Sequence, residues 1–124
     1  DVRIIIPERT DSRVVTLANW SFTRQLLPLG IKIYRYREGF MHQKVLLMDE
    51  RTAGVGTANC DNRSFRLNFE VTLLVEDAAF AKQVQLMLET DMGKCHQVNE
   101  RELNNQPLRY LLAMSVARLF APLL

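Results

Sequence analysis

Five short runs of β-branched and other apolar residues constrain the fold of this chain more than any other feature. The first run is ended by Pro7, and the others are bounded by turn-forming or charged residues. Short runs of this kind are typical of buried β-strands. The predicted strands cover residues 2–6, 31–34, 44–49, 51–56 and 69–75. Because the first strand starts at Val2 with no initiator methionine, we expect the chain to be part of a longer protein.

Helical patterns lie between these runs. Asp11 or Ser12 can cap a helix whose apolar residues recur at helical spacing and that ends before Pro28. Asp77 can cap a second helix, which runs to about Thr90 and has one apolar face. The alternation of strands and helices predicts an α/β sandwich.

The last part of the chain is first polar and then apolar. A stretch rich in Asn, Gln and Glu follows Gly93 and indicates a connector, after which an apolar helix is expected from Pro107 to about Phe120. We therefore expect residues 1–93 to form the main domain and residues 94–124 a connector with a C-terminal helix.

Composition and charge limit the classes of partner. A net charge of +2 is too small for the basic stripe of a duplex-binding protein, so no nucleic-acid partner is expected. No apolar run reaches the ~18 residues that span a bilayer. Arg109 and Arg118 flank apolar residues of the C-terminal helix, which could equally lie on an anionic membrane surface or pack against protein. Cys60 and Cys95 lack metal-ligand spacing and are expected to be reduced thiols in a cytosol-facing protein.

His42 begins the segment H-Q-K-V-L-L-M-D, which fits the pattern H-x-K-x-x-x-x-D and ends at Asp49. On a strand, alternation places His42 and Lys44 on the same face. An imidazole can attack phosphorus or protonate a leaving oxygen, and an ammonium offsets charge on the non-bridging oxygens, without a metal ion. Alone the pattern is weak, because a histidine near a lysine on an edge strand is more often structural.

The next segment adds groups suited to a phosphate. Thr57 and Asn59 would present a hydroxyl and a carboxamide at the end of a glycine-punctuated strand. Glu70 begins another predicted strand, and a carboxylate can orient an imidazole. Taken singly, the glycines also fit a tight turn, and Asp61 and Arg63 a surface ion pair.

Together, H-Q-K-V-L-L-M-D and G-T-A-N-C-D-N-R-S-F-R-L-N-F-E resemble the phospholipase D superfamily and, within it, the bacterial cardiolipin synthases. The narrower resemblance also rests on Y-R-Y at 34–36, G-F at 39–40 and A-R-L-F-A-P at 117–122. Thr57 stands where that family more often has serine, and Cys60 where it usually has a small apolar residue. The resemblance implies a mixed β-sheet sandwiched by helices, forming half of a two-domain pseudo-dimer.

The resemblance also implies roles for the residues of these motifs. His42 would be the catalytic imidazole, acting as general acid and base, while the imidazole of the other half is the nucleophile. Lys44 and Asn59 would hold phosphate oxygens with help from Thr57, and Glu70 would orient His42.

Further residues of the motifs are assigned to support and to substrate binding. Asp49 would act structurally at the far end of its strand. The motif residues to which we assign a structural role are Asp49, Asp61, Arg63 and Ser64. Tyr36 and Phe40, aromatic residues just before the catalytic strand, are the candidates for lipid contact.

The implied reaction is phosphatidyl transfer between two phosphatidylglycerol molecules, giving cardiolipin and glycerol with no cofactor, metal or nucleotide donor. The expected partners are an N-terminal half with the other H-x-K-x-x-x-x-D motif, or a second copy of the chain, and a membrane surface. The expected location is the bacterial inner membrane, with the catalytic domain facing the cytosol. Two alternatives stay open: a homodimeric single-motif phosphodiesterase or nuclease, and a non-catalytic truncated fragment. The isolated chain is expected to be inactive.

Overall fold

The computed structural model describes residues 1–10 and 12–119. Asp11, Phe120, Ala121 and Pro122, which the sequence analysis used for a helix cap, a helix end and the closing motif, lie outside the described residues. The elements run β1 (Arg3–Pro7), α1 (Arg13–Leu26), a 3₁₀ turn (Leu27–Leu29), β2 (Lys32–Tyr36), β3 (Val45–Met48), β4 (Thr52–Gly56), α2 (Asn62–Arg66), β5 (Thr72–Glu76), α3 (Ala78–Met92), β6 (Cys95–Gln97), α4 (Glu100–Asn104) and α5 (Leu108–Leu119).

The architecture is mixed α/β, as predicted. Every predicted strand and helix is present among the described residues, with ends displaced by three residues at most. Asp77 caps α3 by accepting a hydrogen bond from the amide of Phe80 at 2.7 Å. Ser12 occupies the cap position of α1, but its side chain makes no capping hydrogen bond. No helix in the described ranges is long and apolar enough to cross a membrane.

The strands form two three-stranded sheets. In the first sheet, β1 is parallel to β2, and β6 is antiparallel to β2. The second sheet is the antiparallel meander β3–β4–β5. Helix α3 contacts strands of both sheets, whereas α1 and α5 pack against each other. The second sheet carries most of the candidate motif residues at or beside its strand ends.

The stretch after Gly93, predicted as a connector, contains the strand β6 and the helix α4. Asn99 caps α4 by accepting a hydrogen bond from the amide of Glu102 at 3.1 Å. His96 Nε2 of β6 lies 2.7 Å from Glu102 Oε1, which ties the strand to the helix. Because β6 has only three residues, its strand conformation depends on pairing with β2 rather than on a pattern of its own.

A buried arginine joins β2 to β1 and α1. The side chain of Arg35 is 3% exposed, and its Nε donates a hydrogen bond to Glu8 Oε2 at 3.0 Å. Its Nη2 donates to the carbonyl of Glu8 at 3.1 Å, and the guanidinium lies 4.3 Å from the ring centre of Trp20. Nη1 is buried without a hydrogen-bond partner among the described residues. The positive charge of Arg35 is therefore removed from water and is balanced by the carboxylate of Glu8.

Replacing either member of this pair should have unequal effects on stability. Glu8→Ala leaves a buried guanidinium without a counter-charge, and we expect a loss near the lower end of the roughly 3–5 kcal/mol typical of such a change. Arg35→Met should cost less, because Glu8 is 37% exposed and water can solvate its carboxylate. Urea unfolding followed by circular dichroism measures both values. A larger loss for Arg35→Met than for Glu8→Ala would contradict this reasoning.

Candidate active site

The close approach of β4 to β5 positions the first part of the site. A Cβ atom at Gly56 would overlap the hydroxyl of Thr72 and the carbonyl of Val71, so a side chain does not fit at this position. The next residue, Thr57, donates its amide to the carbonyl of Val71 at 2.9 Å and accepts the amide of Val71 on Oγ1 at 3.0 Å. The backbone and the hydroxyl of Thr57 are thus fixed together.

The hydroxyl of Thr57 then holds the carboxylate of Glu70. Thr57 Oγ1 donates to Glu70 Oε2 at 2.6 Å, and Asn68 Nδ2 donates to Glu70 Oε1 at 3.3 Å. The hydrogen bond from Thr57 is the main cause that lowers the pKa of Glu70; Ser64, Asn68 and the charge of Lys44 act in the same direction, against a desolvation effect. Glu70 is therefore an anion throughout the neutral range.

The structural residues of the second motif form the turn beside this pair. Asp61 caps α2 by accepting the amide of Ser64 at 2.7 Å. The hydroxyl of the buried Ser64 accepts the amide of Asn59 at 3.1 Å. Arg63 donates to Asn68 Oδ1 at 3.2 Å, and no ion pair joins it to Asp61 among the described residues. These contacts hold the loop that carries Asn59.

His42 and Lys44 lie just before β3, in a segment that has no regular secondary structure. The ring of His42 is stacked on Phe40, with 5.7 Å between the ring centres and 16° between the planes. Lys44 Nζ donates to the carbonyl of His42 at 2.8 Å, and the carbonyl of Lys44 accepts the amide of Gly56 at 3.0 Å. Because β3 begins at the end of the second sheet where β4 ends and β5 begins, His42 and Lys44 lie at the end that carries Thr57 and Glu70.

Not all predicted site residues meet in this arrangement. No described side chain forms a hydrogen bond with the His42 ring, whereas the carboxylate of Glu70 accepts hydrogen bonds from Thr57 and Asn68. The orienting role of Glu70 thus stays a prediction. Tyr36 ends β2, where it pairs with Pro7 and Cys95, and the lipid contact assigned to it stays a prediction as well.

Asp49 lies at the other end of β3 from His42. Asp49 and Glu50 have φ values of 49° and 56°, and the amide of Arg51 donates to the carbonyl of Met48 at 3.2 Å. Positive φ at both central positions is the pattern of a type I′ hairpin turn, in which aspartate is favoured at the first position. Asp49 is therefore part of the turn that connects β3 to β4.

Sequence reasoning missed two supporting residues. Gln43 Nε2 donates to Asp91 Oδ2 at 2.7 Å and so anchors the imidazole segment to the end of α3. Asn68 connects Arg63 to Glu70. The contact between Asn68 and Glu70 could have been predicted, because the two residues are close in the sequence. Nothing in the sequence predicts the contact between residues 43 and 91.

The segment from α2 to β5, which surrounds Glu70 in the sequence, carries many exposed apolar side chains. All five residues of β5 are exposed, including its three large apolar ones. The exposed apolar residues of this surface are Phe65, Leu67, Phe69, Val71, Leu73, Leu74 and Val75. A concentration of exposed apolar side chains in one stretch of the chain is typical of a place where protein or lipid binds.

The effect of the Thr57 hydrogen bond on the pKa of Glu70 can be tested by substitution. Thr57→Val removes the donor, so the pKa of Glu70 should rise towards its ordinary value of 4.5. Thr57→Ser keeps the hydroxyl and should leave the pKa low. Carboxyl ¹³C chemical shifts of Glu70, followed during a pH titration, measure the change.

The direction of this pKa shift also determines how Glu70 makes the stability of the fold depend on pH. Since folding lowers the pKa of Glu70, its contribution is present above the ordinary pKa and is lost as the pH falls through the lowered pKa. An identical titration midpoint in Thr57→Val and Thr57→Ser would show that the hydroxyl is not the cause.

Comparison with known proteins shows which family this chain resembles. The family model described as "Cardiolipin synthase, PLD-like domain" matches residues 1–92. The chain is 44% identical over 124 residues to Cardiolipin synthase A of Pseudomonas entomophila strain L48 and 45% identical to that of Pseudomonas fluorescens strain SBW25. Each match covers 100% of this chain and 26% of the relative, so the chain spans about a quarter of the length of these curated relatives.

Proposed function

Because the chain belongs to the family of phospholipase D-like domains of cardiolipin synthases, we propose that it supplies one half-site of such an enzyme. The complete enzyme would transfer a phosphatidyl group between two phosphatidylglycerol molecules and release glycerol. We place it at the bacterial inner membrane, with the catalytic domain facing the cytosol. Residues 1–93 would form the phospholipase D-like domain and residues 94–124 its C-terminal extension; the family match to residues 1–92 supports this division.

One observation carries the proposal: the segment of His42 and Lys44 is hydrogen-bonded to β4 beside the pair formed by Thr57 and Glu70. The ammonium of Lys44 donates to the carbonyl of His42 at 2.8 Å, and the carbonyl of Lys44 accepts the amide of Gly56, the residue before Thr57, at 3.0 Å. An exposed imidazole, a cation and a hydroxyl held by an anion thus lie at the same end of the second sheet. This set suits a phosphodiester, whose non-bridging oxygens need positive charge and whose leaving oxygen needs a proton.

In the first step, the imidazole of the other half would attack phosphorus and form a phosphohistidine. The bond from phosphorus to the glycerol oxygen breaks, and protonated His42 donates its proton to that oxygen. Lys44 and Asn59 would hold the non-bridging oxygens, with Thr57 beside them.

In the second step, neutral His42 would take the proton from a hydroxyl of the second phosphatidylglycerol. That oxygen attacks phosphorus, the bond to the imidazole of the other half breaks, and cardiolipin forms. Glu70 would stabilise the protonated state of His42 once the complete site brings the two together. Tyr36 and Phe40 would contact the lipid.

A second half-site is required by the size of the barrier. Enzymes lower such barriers by roughly 8–23 kcal/mol, whereas one acid–base group contributes about 10²–10⁴ in rate. The exposed apolar surface on and before β5 supports a protein partner at this place. We propose the half with the other H-x-K-x-x-x-x-D motif as that partner.

A pair of variants in the complete enzyme tests the assignment of His42. His42→Ala should reduce the conversion of phosphatidylglycerol to cardiolipin and glycerol in mixed micelles by at least roughly 10²–10⁴, because the acid–base group is lost. Asp49→Asn changes the same motif but keeps a residue that tolerates the left-handed turn, and it should keep most of the activity. Equal losses in the two variants would contradict the assignment.

The isolated chain tests the need for a partner half. We expect no turnover of phosphatidylglycerol at any chain concentration, since only one imidazole of the pair is present. The measurement is cardiolipin formation over a concentration series, with single-stranded and duplex DNA as parallel substrates. Activity that rises with the square of the concentration, especially on DNA, would replace the proposal with a homodimeric nuclease.

A further inference from the structure

Helix α5 is apolar on two opposite faces. Met114 and Ala117 are buried, and α5 packs against α1. On the other face, four apolar side chains are between 55% and 77% exposed. They are Leu108, Leu112, Val116 and Leu119, whose spacing of four, four and three residues places them on one side of a helix. This exposed row is called the α5 stripe below.

The charged side chains of α1 and α5 have one sign. Helices α1 and α5 contain four arginines and no acidic residue. Helical spacing places Arg109 and Arg118 on opposite flanks of the stripe, and both are exposed. Long arginine side chains can reach phosphate groups while an apolar row is inserted beside them. The arginines are Arg13, Arg24, Arg109 and Arg118.

A shallow groove of about 700 Å³ lies between the two helices. It is lined by Ser21, Arg24, Gln25, Ser115, Arg118 and Leu119. Two guanidinium groups can form charge-assisted hydrogen bonds with a phosphodiester, and Leu119 connects the groove to the stripe. The hydroxyl of Ser115 already donates to the carbonyl of Leu111 at 3.1 Å, so placing it near acyl chains leaves no donor unpaired.

We propose that α1 and α5 form a binding surface for an anionic phospholipid bilayer, with the α5 stripe inserted among the acyl chains. Arg24 and Arg118 would bind a lipid phosphate in the groove. The absence of acidic residues from both helices favours this occupant over a second copy of the chain, whose same face is also positive. The inference does not depend on the proposed reaction, because none of these residues belongs to the candidate active site.

Vesicle co-sedimentation of the 124-residue chain tests the charged part of the surface. The vesicles contain phosphatidylcholine alone or phosphatidylcholine with phosphatidylglycerol. Arg24→Gln with Arg118→Gln should weaken binding to the anionic vesicles by roughly 30-fold, since each arginine near such a surface contributes roughly fivefold in affinity. Arg51→Gln with Arg101→Gln removes the same charge elsewhere and should bind as the unmodified chain does.

A second pair tests the apolar part. Leu112→Ser with Val116→Ser should also weaken binding to the anionic vesicles, whereas Leu86→Ser with Met87→Ser, two exposed residues of α3, should not. All four substituted positions lie on the surface, and circular dichroism verifies that each variant keeps its helices.

The outcomes separate the possible occupants. Loss of binding in both α1–α5 variants, with both controls unchanged, supports the proposal. No binding by the unmodified chain, equal binding to neutral and anionic vesicles, or unchanged binding in the α1–α5 variants would overturn it. The mass of Leu112→Ser with Val116→Ser, measured by sedimentation equilibrium without lipid, can also be compared with that of the unmodified chain. A different mass, together with unchanged vesicle binding, would assign the stripe to a protein contact instead.

Discussion

The candidate site depends on the close approach of β4 to β5 at Gly56. Because this position has no side chain, the carbonyl oxygen of Val71 can lie 2.5 Å from the point where a Cβ atom would be. The neighbouring Thr57 is then held by two hydrogen bonds to Val71, and its hydroxyl reaches Glu70. The amide of Gly56 also binds the carbonyl of Lys44. One glycine therefore sets the relative positions of a hydroxyl, a carboxylate and the backbone of Lys44.

The first sheet depends on a different interaction, the buried guanidinium of Arg35. It joins β2 to Glu8 after β1 and to Trp20 of α1, and α1 packs against α5. Because Nη1 has no hydrogen-bond partner in the part of the chain that the structure describes, this contact fixes geometry at some cost in stability. The layer that carries the proposed bilayer surface is thereby fixed to the first sheet, while α3 joins that sheet to the one that carries the site.

The sequence predicts the elements that have their own pattern and misses those defined by contacts. The strand after Asp49 and the helix after Asp77 follow from apolar runs and a capping residue, which act locally. The pairing of β6 with β2 brings together residues about 60 positions apart, and no local pattern encodes it. In the site, the motif supplied the candidate residues, but it did not predict that Thr57 binds Glu70 while the His42 ring stacks on Phe40.

The exposed surface on and before β5 connects the fold to the kind of reaction proposed. In the proposed reaction, transfer to a second alcohol would compete with hydrolysis, so the site would have to exclude water while the phosphatidyl group is bound to an imidazole. The described residues leave the rings of Phe65 and Phe69 and all of β5 open to solvent. A partner half that covers this surface would both add the second imidazole and exclude water. The same cover would lower the local dielectric and strengthen the interaction of Lys44 with the phosphate. One docking event would thereby complete both the chemistry and the selectivity for an alcohol over water.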